Sequence, residues 1–289
     1  LVSPRKEVVT LSKRTRFVTA LVLAAVLTLS VVAVAGCTRD VLASVTKKGV
    51  IRVGTSADYP PFEFVDDQGN YAGFDVDLME AIAGRLGVAV EWHDMDFNLL
   101  LAALKKRRID AVIACMDATE ERAKEALFTI PYLVAPDAIL VKKGSTLVIT
   151  DLVTDLPGLK VGVQTGTVHY DWIKENLIDP GLMPETNLSQ YPRADMAVLD
   201  LVAGRLDCVF MDESAAIGFT QTHDVEKALS VDLEGAPAIA VALKQEPLLE
   251  KLNEIIQQLE AEGVIDQLAQ KWSVGAYAQP EAEDEEAGE

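Results

Sequence analysis

Short β-branched runs alternate along this chain with stretches whose apolar residues recur at helical spacing. Val50-Ile51-Arg52-Val53-Gly54 predicts a strand closed by glycine. The stretch 64–71 encloses Asp66-Asp67-Gln68-Gly69-Asn70, a hairpin-turn signal. Over 75–86, Val76, Met79, Ile82, Ala83 and Leu86 fall on one helical face, with Asp75 and Asp77 near the positive end of the dipole and Gly87 as the stop. A strand over 88–92, a helix over 99–107 and a strand over 109–114 complete the first set.

The same order then returns. A strand over 159–163 is followed by helices over 168–176 and 194–203 and a strand over 206–211. Arg108-Ile109-Asp110 and Arg205-Leu206-Asp207 open matching strands in the two halves. A late strand over 238–243 leads into a helix over 247–272, with Leu248, Leu252, Ile255, Ile256 and Leu259 on one face. Strands alternating with helices predict an α/β fold of two similar lobes with largely parallel pairing.

The N-terminal pattern is different. Lys13, Arg14 and Arg16 precede an apolar run over 17–35, which ends in Val34-Ala35-Gly36-Cys37. A basic start, an apolar middle and small residues at the end describe a secretory signal peptide. The run is also just long enough to span a bilayer as a retained anchor. Small residues directly before Cys37 resemble the bacterial lipobox, in which the cysteine is lipidated and becomes the first mature residue. Either reading places residues 38 onward outside the cytoplasm.

Charge and chemistry narrow the function. The chain has 289 residues, 49% hydrophobic content and a net charge of −19. Removing residues 1–36 takes away five basic residues and one acidic one, which leaves −23. Such a surface excludes a general nucleic-acid binder. Three cysteines make no disulfide framework, and Cys115 and Cys208 are expected as buried free thiols in separate lobes. His93, His169 and His223 are scattered without metal-ligand spacing, so neither a metal nor a cofactor is expected. The end of the chain, with six acidic residues over 281–289, reads as a solvated tail.

Several motifs together resemble one family over about residues 48–272. They are Ile51-Arg52-Val53-Gly54-Thr55 with Tyr59, Pro61, Phe62 and Glu63; Gly73-Phe74-Asp75-Val76-Asp77-Leu78; the run from Ile109-Asp110-Ala111 to Thr119-Glu120-Glu121-Arg122; Phe128-Thr129 with Pro131-Tyr132; Val161-Gly162-Val163-Gln164-Thr165-Gly166-Thr167; and the run from Asp207 to Glu213. Each is weak alone, and their order and spacing are specific. They resemble the bacterial extracytoplasmic solute-binding proteins of family 3, the polar-amino-acid branch. The resemblance implies a two-lobed, periplasmic-binding-protein-like (type II) fold, with a ligand cleft between lobes joined by a two-segment hinge. It also implies a monomer that binds a polar or cationic α-amino acid and delivers it to the transmembrane subunits of an ABC importer, with a lipid anchor at Cys37. The expected division is a signal peptide over 1–36, a tether over 37–47, a first lobe from 48–140 and 239–273, a second lobe over 141–238, and an acidic disordered tail over 274–289.

Carried over residue by residue, Arg122 matches the family arginine that takes the ligand carboxylate, to which a planar guanidinium donates two parallel hydrogen bonds. Asp212 matches the acid that takes the α-ammonium, though it also fits a helix N-cap. Thr167 and the backbone N–H of Val168 lie at an expected helix N-terminus, which favours an anion. Val168 stands where the family commonly has a hydroxyl residue. Tyr59 and Phe97 match the aromatic positions that sandwich the ligand's side chain. Gln164 is expected at the side-chain end of the pocket. Cys115, Met116 and Asp117 occupy a segment where the family has small and hydroxyl residues. Asp117 either strengthens capture of the ammonium, or favours extra positive charge on the ligand, or is a solvated loop carboxylate. Ser56 stands where some cationic-amino-acid binders carry an acid, which weakens the cationic reading. The alternative is a dehydratase-like enzyme on the same scaffold, with Asp117 and Glu213 as general acid and base.

Overall fold

The computed structural model describes residues 40–275 apart from residue 234. Cys37, the apolar run 17–35 and the acidic stretch 281–289 lie outside those residues.

Asp40 caps α1 (Val41–Lys48), and its carboxylate accepts the Ala43 N–H at 3.0 Å. Val41 and Val45, one turn apart, are buried against the core, and Gln245 Oε1 accepts the Val41 N–H. The expected tether over 37–47 is therefore corrected from residue 41 onward. An Asp cap and an i, i+4 apolar pair make this stretch a docked helix.

The chain continues through β1 (Val50–Thr55), β2 (Asp58–Tyr59), β3 (Glu63–Val65), β4 (Tyr71–Ala72), α2 (Phe74–Leu86), β5 (Ala89–Asp94), α3 (Leu100–Lys105), β6 (Ala111–Val112), α4 (Glu120–Ala123) and β7 (Ala126–Phe128). It crosses to β8 (Asp137–Lys142), α5 (Leu152–Asp155), β9 (Val161–Gln164), α6 (Val168–Ile173), β10 (Leu188–Tyr191), α7 (Ala194–Val202), β11 (Cys208–Asp212), α8 (Glu213–Thr220) and β12 (Val225–Val231). It then returns for β13 (Ala240–Ala242), α9 (Glu246–Ala261) and α10 (Val264–Trp272).

Two five-stranded sheets result, in the orders β5-β1-β6-β13-β7 and β10-β9-β11-β8-β12. In the first, β1 runs parallel to β5 and β6, and β13 pairs antiparallel with β6 and β7. In the second, β9 runs parallel to β10 and β11, and β8 pairs antiparallel with β11 and β12. The largely parallel expectation is thus corrected to mixed sheets. In each sheet the antiparallel partner of the inner strand arrives from the other half of the chain. All of β8 belongs to the second sheet, so the expected lobe boundary after residue 140 falls inside a strand. The crossings lie over 129–136 and 232–239.

The repeat between halves has a physical basis in paired residues. Asp110 Oδ2 accepts the Arg52 N–H at 3.1 Å, and Asp207 Oδ2 accepts the Lys160 N–H at 2.7 Å. Each Asp thereby ties the start of a parallel strand to its neighbour. Gly54 in β1 and Gly162 in β9 make room for the next strand's lead-in. A Cβ at Gly54 would stand 2.5 Å from Ile109 Cδ1, and one at Gly162 would stand 2.5 Å from Leu206 Cδ1.

The expected helix over 247–272 breaks in two, because Gly263 takes φ 71° between α9 and α10. The five expected apolar residues of α9 are all buried. They pack in one cluster with α1, α2 and α10, each buried Leu or Ile contributing about 1.5–3 kcal/mol. On the other side of the first sheet, Leu100, Leu104, Ile109, Val112 and Met116 form a separate cluster.

Candidate functional site

The first-lobe wall of the cleft rests on a buried acid. Asp75, on the first turn of α2, is wholly buried, and its Oδ2 accepts the Cys115 N–H at 2.7 Å and the Tyr132 hydroxyl at 2.9 Å. This holds the loop after β6, in which Cys115 takes the left-handed φ of 43°. A β-carbon-bearing residue adopts that conformation at a cost of about 1–2 kcal/mol. The loop is also stitched to the return crossing, through an antiparallel bridge between Asp117 and Pro237. Thr119 caps α4 and accepts the Arg122 N–H at 3.3 Å. The Arg122 guanidinium donates from Nη1 to the Asp117 carbonyl at 2.8 Å and lies 5.4 Å from the centre of the Phe97 ring.

The second-lobe wall is built from two strand ends. After β9, Gly166 turns with φ 79° and Thr167 caps α6, accepting from the Tyr170 N–H at 3.4 Å and donating to the Gln164 carbonyl at 2.8 Å. At the end of β11, Asp212 sits at the N-cap position of α8 but makes no side-chain cap bond. Its carboxylate turns into the cleft, where Oδ2 accepts the Tyr59 hydroxyl at 2.5 Å. The Asp212 N–H donates to the same hydroxyl oxygen at 2.9 Å.

The two walls touch. Arg122 Nη2 donates to the Gly166 carbonyl at 3.0 Å, and Arg193 Nη1 pairs with Asp94 at 3.3 Å. Asp58 of the first lobe accepts the Ala194 N–H at the start of α7, where Arg193 provides no side-chain cap. Gly218 of α8 lies against the Pro60 carbonyl.

Burial and neighbouring charges shift several titratable groups of the cleft. Burial pushes Asp212 up to about 7, against a lowering from His169. Burial also raises Asp117, whose charge is opposed by Arg122 and His169. Burial lowers Arg122, while Asp117, Asp171 and Asp212 resist that shift. A guanidinium stays charged under such shifts. Burial alone would lower His169, but its hydrogen bond to Asp137 and the charges of Asp212 and Asp137 outweigh it and raise the imidazole.

Tyr59, Phe97, Cys115, Asp117, Arg122, Gln164, Thr167, Val168 and Asp212 all line one cleft. Met116 does not. Its side chain is 1% exposed in the core of the first lobe, and its carbonyl accepts the Ala238 N–H at 2.9 Å. The turn at Cys115 leaves Cys115 and Asp117 at the cleft and Met116 in the core. Asp117 is buried, which removes the solvated-loop reading, and its Oδ1 has no hydrogen-bond partner. Glu213 instead pairs with Lys227 and accepts the Ser230 hydroxyl at 2.8 Å.

Glu63, Ala114 and His169 also line the cleft and were not picked out as site residues by sequence. His169 is two residues beyond the Thr167 cap, a position that carries no ligand signature on its own. The histidines have no metal-ligand spacing along the chain, yet the fold brings His169 beside two acids. His169 Nε2 lies 2.7 Å from Asp137 Oδ1, and ligand-type atoms of Asp137, His169 and Asp212 lie within 4.8 Å of one another. Asp137 comes from β8, about thirty residues away along the chain, so spacing alone does not reveal it.

Known proteins are similar to this chain in sequence and fold. L-cystine-binding protein TcyJ of Escherichia coli (strain K12) is 31% identical over 235 residues, covering 80% of this chain and 85% of that protein. Arginine-binding extracellular protein ArtP of Bacillus subtilis (strain 168) is 33% identical over 234 residues, covering 79% of this chain and 88% of that protein. A solved structure of an ancestral arginine-binding protein bound to arginine superimposes with a TM-score of 0.72 at 38% identity, over 78% of this chain and 98% of that one. Residues 51–275 match the sequence profile shared by the group. The chain belongs to the bacterial extracellular solute-binding proteins, family 3.

Proposed function

We propose that this chain is the extracytoplasmic substrate-binding component of an ABC importer and that it takes an α-amino acid of the polar or cationic class between its lobes. The observation that carries this reading is the placement in one cleft of a fixed cation, Arg122, and a buried acid, Asp212, beside two aromatic rings. An α-amino acid presents the complementary carboxylate and ammonium. Arg122 and the free N–H groups at the start of α6 receive the carboxylate, Asp212 and Asp117 receive the ammonium, and Tyr59, Phe97 and Gln164 meet the side chain. Relatives named for arginine and cystine binding support this class.

The two crossings, 129–136 and 232–239, act as the hinge. The first lobe then comprises β1 to β7 with β13 to α10, and the second comprises β8 to β12. Closure brings donors from both lobes onto one ligand. Residues 1–36 serve as a signal peptide, and Cys37 carries the lipid that holds the monomer at the outer face of the membrane. Mass spectrometry of the membrane-extracted protein, before and after Cys37→Ala, tests that anchor.

A thermal-shift screen of the twenty amino acids and related amines tests the ligand class. At least one α-amino acid raises the melting temperature, because it binds the folded state alone. Arg122→Ala then abolishes binding, a loss of 100-fold or more for a buried charge-assisted pair left unmet. No shift with any amino acid, or affinity kept within a few-fold in Arg122→Ala, overturns the reading.

A further inference from the structure

In the floor of the cleft lies a cluster of which the proposed amino-acid capture uses only Asp212. Asp137 on β8, His169 on α6 and Asp212 at the end of β11 are 2%, 3% and 6% exposed. Their ligand-type atoms all lie within 4.8 Å of one another. Each carboxylate has one oxygen already held from outside the cluster. The Leu233 N–H donates to Asp137 Oδ2 at 3.0 Å, and the Tyr59 hydroxyl donates to Asp212 Oδ2. That leaves Asp137 Oδ1, which faces His169 Nε2, and Asp212 Oδ1, whose nearest donor is the weak Cys115 thiol at 3.8 Å. Outer donors of this kind orient ligands in metal sites.

A second observation points the same way. Asp212 is 6% exposed, and among the described residues its Oδ1 meets only the weak Cys115 thiol. A buried carboxylate oxygen without a strong donor calls for a cation. Charge balance fits a divalent ion. Two carboxylates and a neutral imidazole carry −2, which an M²⁺ ion cancels, while Arg122 remains to oppose Asp117.

We propose that Asp137, His169 and Asp212 form a binding site for a divalent first-row transition ion such as Zn²⁺ or Mn²⁺, set in the second-lobe floor of the cleft. One imidazole nitrogen with carboxylate oxygens suits these ions better than Mg²⁺ or Ca²⁺, which favour oxygen alone. The ion takes the place of the proton shared by His169 and Asp137, and that proton goes to solvent. Tetrahedral ligands bonded at about 2.0–2.2 Å stand about 3.3–3.6 Å apart, so the 2.7 Å pair spreads by somewhat under about 1 Å and any pair near the 4.8 Å limit draws together. Because the ion occupies Asp212, it excludes the ammonium of a bound amino acid. That exclusion rests on the ligand roles proposed above, but the metal site itself does not.

The test uses the full chain, freed of metal by chelator and titrated with Zn²⁺ and separately with Mn²⁺ by calorimetry, with Mg²⁺ as the control for loose binding to surface acids. One equivalent is expected to bind with a Kd at least 100-fold tighter than Mg²⁺. X-ray absorption at the zinc edge is expected to show N/O ligation with one imidazole. His169→Gln is expected to weaken the tight equivalent 100-fold or more, and Asp137→Asn gives a second variant should the first fail to fold. Zinc binding no tighter than Mg²⁺, an absorption edge without imidazole, or unchanged affinity in a folded His169→Gln protein overturns the site. Amino-acid binding to the metal-free protein is scored separately. Amino-acid binding without a tight metal equivalent sinks the metal site alone, and a tight equivalent without amino-acid binding sinks the transport reading alone.

Discussion

A single methyl group at Gly218 should hold the cleft open without harming either lobe. Gly218 lies in α8 of the second lobe, and a Cβ built there stands 2.5 Å from the Pro60 carbonyl oxygen and 3.0 Å from Pro61 Cδ, both in the first lobe. The oxygen is main chain and cannot rotate away, so the lobes must separate or the backbone must shift. Forcing a methyl into such a contact costs about 1–3 kcal/mol. With the lobes apart this contact would be absent, and there alanine favours the helix over glycine by about 1 kcal/mol. Gly218→Ala should therefore weaken binding of the amino acid found by screening by about 5- to 150-fold, while the melting temperature of the ligand-free protein holds or rises. Calorimetry gives the affinity. Small-angle scattering should show a larger radius of gyration with saturating ligand than the wild type shows. Affinity within twofold of wild type together with an unchanged radius would refute the idea that this contact belongs to the binding-competent state.

Two further predictions test the scaffold. Burial pushes Asp75 up to about 7 in the fold, whereas an unfolded carboxyl titrates near 4. Folding thus takes up a proton across that window. Stability from this group is greatest below about pH 4, falls as the pH rises toward 7 and is flat above it, a change on the order of 4 kcal/mol. The neighbouring Glu63 Oε2 and Asp75 Oδ1 are both buried without a donor, and a shared proton satisfies both. Denaturant melts at pH 5.5 and 8 should show the higher stability at 5.5, and Asp75→Asn should flatten the difference; an equal slope in the variant counts against the assignment. Separately, Gly73→Ala should destabilise by about 3 kcal/mol or more, since Gly73 has φ 129° and a Cβ there stands 2.1 Å from the Phe62 carbonyl oxygen. Chemical denaturation that shifts by less than 1 kcal/mol would refute it.

Much of the site was legible because its parts are local. Thr167 after Gly166 announces a helix start, and Thr119 before Glu120-Glu121-Arg122 does the same, so the geometry around Arg122 follows from nearby residues. Asp110 and Asp207 made the repeat visible, and each performs the same backbone anchoring. Other features needed distant partners. The strand β8 carries an apolar run, Ala138-Ile139-Leu140-Val141, that fits a buried strand, whereas β12 has a weak signal of its own and forms because it pairs with β8. Met116 read as a site residue because a loop's register is unknown until its neighbours fix which side chains point inward.

The sequence by itself determined the α/β repeat and the amphipathic helices, whereas the candidate clamp of Arg122 with Asp212 came from the family resemblance. Spacing, capping and hydrophobic period are properties of neighbours in the chain. Tertiary structure alone decided that Asp75 supports the Cys115 turn, that residues 41–48 dock as a helix, and that Asp137, His169 and Asp212 meet. Those contacts join residues dozens to more than two hundred positions apart, and burial gives them their energetic weight.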